Sequence, residues 1–235
     1  LRASERVVLD GREGRHAADV RRIGVGESID LSDGKGHLAR SEVVEADRSS
    51  LVCQVHERVD VPVPTPRLVV AQALAKGDRG ELAVEMMTEV GVDEIVPWAA
   101  QRNVVRWDGE RGRRALDRWR STAREAAKQS RRAWIPDINE LTTTDQLAER
   151  LRNAERAVVL HHGPPLGEVS MPREGEIVLV VGPEGGITSD ELETFRAAGS
   201  CTAGLGPTIL RTSTAGTVAA AIVLSSTGRW AATRQ

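Results

Sequence analysis

Five apolar residues in a row, Ile177-Val178-Leu179-Val180-Val181, run without a break into Gly182-Pro183-Glu184-Gly185-Gly186-Ile187-Thr188. An uninterrupted, mostly β-branched run has no polar side to turn to water. It therefore predicts a strand buried on both faces, the condition of strands in parallel sheets covered by helices. Gly182 ends the run. Thr188, with Glu191 three residues on, forms a capping box that opens a helix through Phe195 to about Ala198, and Gly199 is a C-terminal stop. Strand, glycine turn and helix in that order put the turn at the carboxyl edge of an α/β sheet, where open sheets of this kind keep their ligands.

The same rhythm runs from Arg67 onward. Leu68 to Leu74, Glu94 to Trp98 and Arg156 to Leu160 read as strands. Glu81 to Val90 reads as a helix with Leu82, Met86 and Val90 on one face and Gly91 at its end; Arg111 to about Arg132 is a long helix. Cys201 to Leu205 is a short strand, followed by a second turn, Leu205-Gly206-Pro207-Thr208-Ile209-Leu210-Arg211-Thr212. Thr212 or Thr214 is placed to cap a last helix, rich in small residues, from Ala215 to Leu224. Strands alternating with helices predict a mostly parallel sheet. Ahead of this lie short β-type runs, Arg6 to Leu9, Ser28 to Leu31, His37 to Glu45 and Leu51 to Val59, separated by Gly and Asp turns. Val61-Pro62-Val63-Pro64-Thr65-Pro66 is a stiff linker. The predicted domains are residues 1–66, a small β domain, and 67–235, an α/β domain.

The first turn lacks both the P-loop and the Rossmann spacing. It carries no Lys or Arg, and Glu184 would repel a phosphate at close range. It suits a neutral, zwitterionic or cationic ligand, or else its glycines serve geometry alone. Arg211 stands just before the positive end of the last helix, an unfavourable place for a cation. A ligand, RNA or an ion pair with Glu184 or another acid would each account for it. His161-His162 forms a third loop at the same edge; adjacent residues of an extended segment point opposite ways, so they do not make a metal pair. No cluster has metal-ligand spacing, and no metal is expected.

The net charge is −2, but residues 101–134 hold eleven Lys or Arg against four Asp or Glu. A basic block in an otherwise acidic chain is the footprint of an RNA-facing surface. Within the long helix, Leu116, Trp119, Ala123, Ala126 and Ala127 share one side, and Arg113, Arg120, Arg124, Lys128 and Arg131 another. Trp119 belongs with the core; Trp107 is the better base-stacking candidate, although packing competes for it too. Two cysteines, Cys53 and Cys201, far apart in sequence, fit a reduced cytoplasmic protein. No signal peptide is visible, and the longest apolar stretch is too short to span a bilayer.

Gly182-Pro183-Glu184-Gly185-Gly186 followed by Leu205-Gly206-Pro207-x-Ile209-Leu210-Arg211-Thr212-x-Thr214-Ala215 resembles the ribosomal RNA small subunit methyltransferase E family, enzymes of the SPOUT class. The likeness extends upstream. It includes His16-x-x-x-Val20-Arg21-Arg22 with Gly26-Glu27, then Lys76, Glu89-Val90-Gly91-Val92 and Ile95-x-Pro97. Gln129-Ser130-x-Arg132 and Ile135-Pro136 complete it. The resemblance implies an N-terminal PUA-like β-barrel and a SPOUT-type α/β domain with a deep trefoil knot. It also implies a homodimer, and S-adenosylmethionine as methyl donor for N3 of one uridine (1498 in ribosomal RNA numbering) in 16S ribosomal RNA of the small subunit. Carried onto this chain, the donor site comprises Leu160, His161, Gly182, Pro183, Glu184, Gly185, Gly186, Leu205, Gly206, Ile209, Leu210, Thr212 and Ala215. The backbone at Gly182, Gly186, Leu205, Ile209 and Leu210 would hold the adenosine.

Arg211 is the candidate to stabilise charge on the uracil oxygens and Glu184 the candidate to take the N3 proton. RNA contacts are expected from His16, Arg21, Arg22, Lys76, Arg120, Arg124, Lys128, Arg131 and Arg132. The family commonly has Arg where this chain has Thr208 and Glu where it has Ser213. Those two departures keep open a non-catalytic RNA-binding module or a methyltransferase for another RNA nucleotide.

Overall fold

A computed structural model describes residues 5–231 of the chain. The chain divides into two compact units. The first runs to Val63 and takes in Arg132–Trp134; the second holds Pro64–Arg131 and the chain from Ile135 onward.

In the first unit, β1 (Arg6–Leu9), β2 (Ser28–Ser32), β3 (His37–Ala46) and β4 (Leu51–Asp60) form an antiparallel sheet ordered β1-β4-β3-β2. Alternate residues of a strand face one side. Ala39 and Val43 of β3 and Leu51, Cys53 and Val55 of β4 accordingly share a core with Leu31 and Ala17. Between β1 and β2 the chain forms a short helix α1 (Gly11–Arg15) and one π turn (His16–Val20), which the β-type reading of this region missed. Burial of the Cys53 thiol raises its pKa. The returning segment is tied in by Gly36 N donating to Ala133 O (2.9 Å) and Trp134 Nε1 donating to Val61 O (3.1 Å). Gly36 has φ +88°, and a Cβ there would lie 2.5 Å from the Trp134 ring, so both conformation and space demand glycine.

The second unit comprises β5 (Arg67–Ala73), α2 (Arg79–Val90), β6 (Glu94–Trp98), α3 (Gly109–Gln129), β7 (Asp137–Ile138), α4 (Thr144–Asn153), β8 (Arg156–Pro165), β9 (Glu176–Val181), α5 (Ser189–Ala197), β10 (Cys201–Gly204) and α6 (Thr212–Ser226). Its six strands are all parallel, in the order β10-β8-β9-β5-β6-β7. Leu68, Val70, Ile177, Leu179 and Val181 face one layer, where Met87, Leu116, Trp119 and Val223 bring in α2, α3 and α6. Val69, Ala71, Val178 and Val180 face the other, where Leu147, Leu151 and Phe195 bring in α4 and α5. Burying each of these large apolar side chains contributes about 1.5–3 kcal/mol, which is why the continuous apolar runs become central strands.

The predicted capping box is present: Thr188 Oγ1 accepts from Glu191 N at 3.3 Å, and Glu191 returns to Thr188 N at 2.9 Å. Gly91 ends α2 in the left-handed conformation, φ +113°. The buried face of α2 differs from expectation. Leu82 is 45% exposed and Met86 and Val90 are only partly covered, while Ala83, Val84, Met87 and Thr88 are buried. Gly80 also belongs to the buried face, and there the neighbouring helix approaches closely. A Cβ on Gly80 would lie 3.0 Å from Trp119, and one on Gly216 of α6 would lie 2.8 Å from Met87 Sδ. The long helix ends at Gln129 rather than near Arg132, and its expected apolar side is buried as read. Trp107 packs edge-on against Trp119 at 4.9 Å, so packing wins over base stacking for that ring.

At the amino edge of the sheet, Glu94 is 4% exposed. Its carboxylate accepts hydrogen bonds from both Nη atoms of Arg150, from Arg67 Nη2 (2.8 Å) and from Asn139 Nδ2 (2.6 Å). Burial alone would raise its pKa, but the hydrogen bonds and charges of Arg150 and Arg67 outweigh that and hold it below the ordinary carboxylate value.

Candidate active site

All six strands of the second unit point the same way, so the segments after β5, β6, β8, β9 and β10 gather at one edge. Lys76 lies exposed in the segment after β5, Leu160 and His161 midway along β8, just past the end of its pairing with β9, Gly182 to Gly186 after β9, and Leu205 to Leu210 after β10. Thr212 and Ala215 stand in the first turn of α6. The fold thus brings the expected donor residues to one rim.

The turn after β9 is closed, among the described residues, by one internal backbone hydrogen bond. Gly186, at φ +76°, donates its N–H to Pro183 O (2.9 Å), so that amide is already engaged. Pro183 is buried, while Glu184 projects to solvent. A Cβ on Gly182 would lie 2.6 Å from Ile187 Cγ1, and one on Gly185 would lie 3.0 Å from Arg102. At these two positions the glycines answer to packing as well as to any ligand. The turn after β10 is its opposite. Among the described residues, no backbone hydrogen bond outside the helices and strands engages residues 206–210, and the Ile209 side chain is fully exposed. Its donors and acceptors are available to a ligand.

Arg211, not Thr212 or Thr214, is the N-cap of α6, and no side chain caps that end. The Thr212 hydroxyl is directed elsewhere: it donates to Gly182 O at 3.1 Å, joining the two turns. The carbonyl of Thr212 accepts from Gln72 Nε2 at 3.4 Å, and Gln72 is fully buried in β5. A chain of polar contacts therefore runs from the central strand through the first turn of α6 to the glycine turn. Arg211 itself is exposed, and among the described residues neither it nor Glu184 has an ion-pair partner. The salt-bridge account of Arg211 falls away.

His161 and His162 do not point apart. Their rings meet edge-on at 5.1 Å. The pairing of β10 with β8 jumps from Ala203↔Leu160 to Gly204↔Pro165, so the regular alternation of a strand breaks down beyond Leu160. Burial, and then the neighbouring His162, lower the pKa of His161 below the ordinary imidazole value. No group of three or more His, Cys, Asp or Glu among the described residues is arranged to hold a metal.

The expected RNA-facing residues separate. Arg120 is a strut, donating to Glu140 (2.8 Å) and to Ile138 O (3.3 Å), and Lys128 pairs with Glu125 at 3.2 Å. Arg124 and Arg113 are exposed on α3. Arg131 lies past the helix end at φ +53°, and Arg132 belongs to the first unit. His16, which opens the π turn, and Arg21 and Arg22, which follow it, are exposed in the first unit, Arg22 with φ +55°. The reading of the sequence missed Gln72, Gln101, Arg102 and the second role of Glu191. Glu191 Oε1 accepts from Gln101 N (2.8 Å) in the segment after β6, and Arg102 Nη1 donates to Gly185 O (3.2 Å). The one available signal was Gln72, an amide inside the otherwise apolar run Leu68 to Leu74.

Known proteins bear directly on this arrangement. A family model described as an RNA methyltransferase domain matches residues 62–224, and one described as an RNA methyltransferase PUA domain matches residues 9–55. The ribosomal RNA small subunit methyltransferase E of Mycobacterium tuberculosis is 46% identical over 229 residues, covering 95% of this chain and 87% of the relative. The protein of the same name from Bacillus subtilis is 31% identical over 220 residues, covering 88% and 85%. Among solved structures, a ribosomal RNA small subunit methyltransferase E from Neisseria gonorrhoeae bound to S-adenosyl methionine superimposes with a TM-score of 0.84 at 26% identity, covering 96% of this chain and 93% of that one. A Legionella pneumophila methyltransferase in complex with bound SAM gives 0.82 at 25%, covering 94% and 92%. With a matching family model over most of its length and close relatives along nearly all of it, this chain belongs to the ribosomal RNA small subunit methyltransferase E family.

Proposed function

We propose that this protein methylates N3 of one uridine in 16S ribosomal RNA of the small subunit, using S-adenosylmethionine. In this proposal it works in the cytoplasm as a homodimer with a trefoil-knotted donor site, residues 1–66 docking RNA and residues 67–235 carrying the chemistry. The observation that carries the reading is Arg211: an exposed guanidinium with no acid partner among the described residues, held at the N-cap of α6 beside Thr212, which joins the two turns.

The residues at this rim fit such a donor. The available backbone of residues 206–210 offers hydrogen bonds to an adenosine. Glu184 offers a carboxylate to a cation rather than to a phosphate. When bound, S-adenosylmethionine supplies an electrophilic methyl group on a positively charged sulfur. The chain does the rest. The two turns, locked together by Thr212, fix the angle of approach, and positioning of this kind is worth roughly 7–11 kcal/mol. Arg211 donates to a uracil oxygen as negative charge develops on it. Glu184 accepts the N3 proton, directly or through water. The base must leave its stack to reach this rim. Of the two departures from the family pattern, Ser213 is 3% exposed and faces the interior, so only Thr208 stands at the surface of the site.

Calorimetry with S-adenosylmethionine, followed by mass mapping of 16S ribosomal RNA from a deletion strain with and without the gene restored, tests the reading. Loss and recovery of one N3-methyluridine is the expected result. A different modified nucleotide, or none, overturns it. On α3, Arg113→Glu with Arg124→Glu is expected to weaken RNA binding and to lower the slope of log affinity against log salt by about 0.7–0.9 for each phosphate no longer neutralised. An unchanged salt slope, measured by filter binding across a salt series, would assign these side chains to ordinary solvation.

A further inference from the structure

β6 and β9 are not neighbours in the sheet, because β5 lies between them. The segments that follow them are nevertheless joined by hydrogen bonds. Glu191, 1% exposed at the start of α5, is the hub. Its Oε2 accepts from Thr188 N and from Thr188 Oγ1, both at 2.9 Å. Its Oε1 accepts from Gln101 N at 2.8 Å and from Thr144 Oγ1 at 3.3 Å. The Thr188 hydroxyl also lies 3.3 Å from Gln101 Oε1. One residue along, Arg102 Nη1 donates to Gly185 O at 3.2 Å, and the Arg102 Cβ and carbonyl both lie 3.0 Å from where a Gly185 side chain would begin. The glycine turn therefore leans on Arg102 from outside, with no room between them.

We propose that Arg102 is a positioning residue for the methyl donor: it braces the Gly185 carbonyl from the segment after β6 and so fixes the turn that receives the ligand, with Glu191 fixing Gln101 beside it. The proposal rests on the donor site put forward above. This contact differs from ordinary surface decoration in two ways. Arg102 is exposed, so its guanidinium gains little by burial, and among the described residues its one side-chain hydrogen bond goes to the backbone of the donor turn. The partner carbonyl lies between Gly182 and Gly186, in a turn whose internal backbone bonding among the described residues is confined to the Gly186–Pro183 contact. Freed of the brace, Gly185 regains the wide backbone freedom of glycine, and the ligand must then order the turn at its own expense.

The test compares Arg102→Ala and Arg102→Lys with the unaltered protein, using S-adenosylhomocysteine as the calorimetric probe and the thermal midpoint of the ligand-free protein as the control. Arg102→Ala is expected to raise the dissociation constant about tenfold, the cost of ordering a freed glycine backbone on binding, with the ligand-free midpoint lowered by at most about 2–4 °C. Arg102→Lys, which restores a donor to Gly185 O, is expected to recover most of the affinity. Wild-type affinity in Arg102→Ala overturns the proposal. So does a loss of affinity that comes with a ligand-free midpoint lowered further than that and is not recovered by lysine, because that pattern belongs to a merely structural residue. Failure of the unaltered protein to bind the probe would sink the donor site itself, and is thereby told apart from failure of the brace.

Discussion

Arg211→Ala is expected to lower single-turnover methyl transfer on small subunits by about 10²–10³-fold, the cost of removing one donor aimed at developing negative charge. The dissociation constant for S-adenosylmethionine should move far less. The asymmetry follows from where the residue stands. The guanidinium projects from the N-cap of α6 without an acid partner among the described residues, whereas the contacts that shape the two turns come from Thr212, Gln72 and Gly186. Removing Arg211 leaves that framework intact. Arg211→Lys should recover only part of the rate, since an ammonium cannot present the planar fork of a guanidinium. Unchanged turnover in Arg211→Ala, or an equal fall in donor affinity and rate, would remove Arg211 from the chemistry.

The second large effect lies at the opposite edge of the sheet. Glu94→Gln is expected to cost about 3 kcal/mol, the low end for breaking a buried ion pair by removing one partner. The low end applies because Arg150 keeps Glu176 and Arg67 keeps Asp137, each at 2.8 Å. At about 2–4 °C per kcal/mol for a chain of this size, the thermal midpoint should fall by roughly 6–12 °C. The pH dependence carries a sign. Arg150 and Arg67 overcome burial and depress the folded-state pKa of Glu94, so its stabilising contribution is fully present above the ordinary carboxylate range. It disappears as the pH falls through that range and on through the lowered value. The denaturation midpoints of the unaltered protein and Glu94→Gln should therefore converge on acidification. Parallel curves down to the acid limb would show that Glu94 is not the titrating group.

Much of the second unit was legible from residue pattern. A strand covered on both sides needs an unbroken apolar run, and Ile177 to Val181 has one. A helix start needs its first N–H groups satisfied, and Thr188 with Glu191 declares it. What pattern could not carry is the identity of neighbours. Leu82, Met86 and Val90 are apolar residues at helical spacing on α2, but the buried face went to Gly80, Ala83, Val84 and Met87, where Trp119 and Gly216 of α6 come close. At the site, glycines and Arg211 announce themselves in sequence. The brace from Arg102 and the hub at Glu191 depend on β6 and β9 being brought together across β5, and no local rule encodes that. The same holds for Arg120, whose charge suggested RNA until Glu140 and Ile138 appeared beside it.

The first unit is not continuous along the chain, and that has a consequence for biosynthesis. Its last piece, Arg132–Trp134, is made only after β5, α2, β6 and α3. At translation speeds of about 5–20 residues per second, the gap after Val63 corresponds to roughly 3–14 s. Throughout that interval the nascent sheet emerges with Val61 O and Gly36 N still lacking their partners on Trp134 and Ala133. Completion of the amino-terminal fold is thus timed by the synthesis of the basic helix.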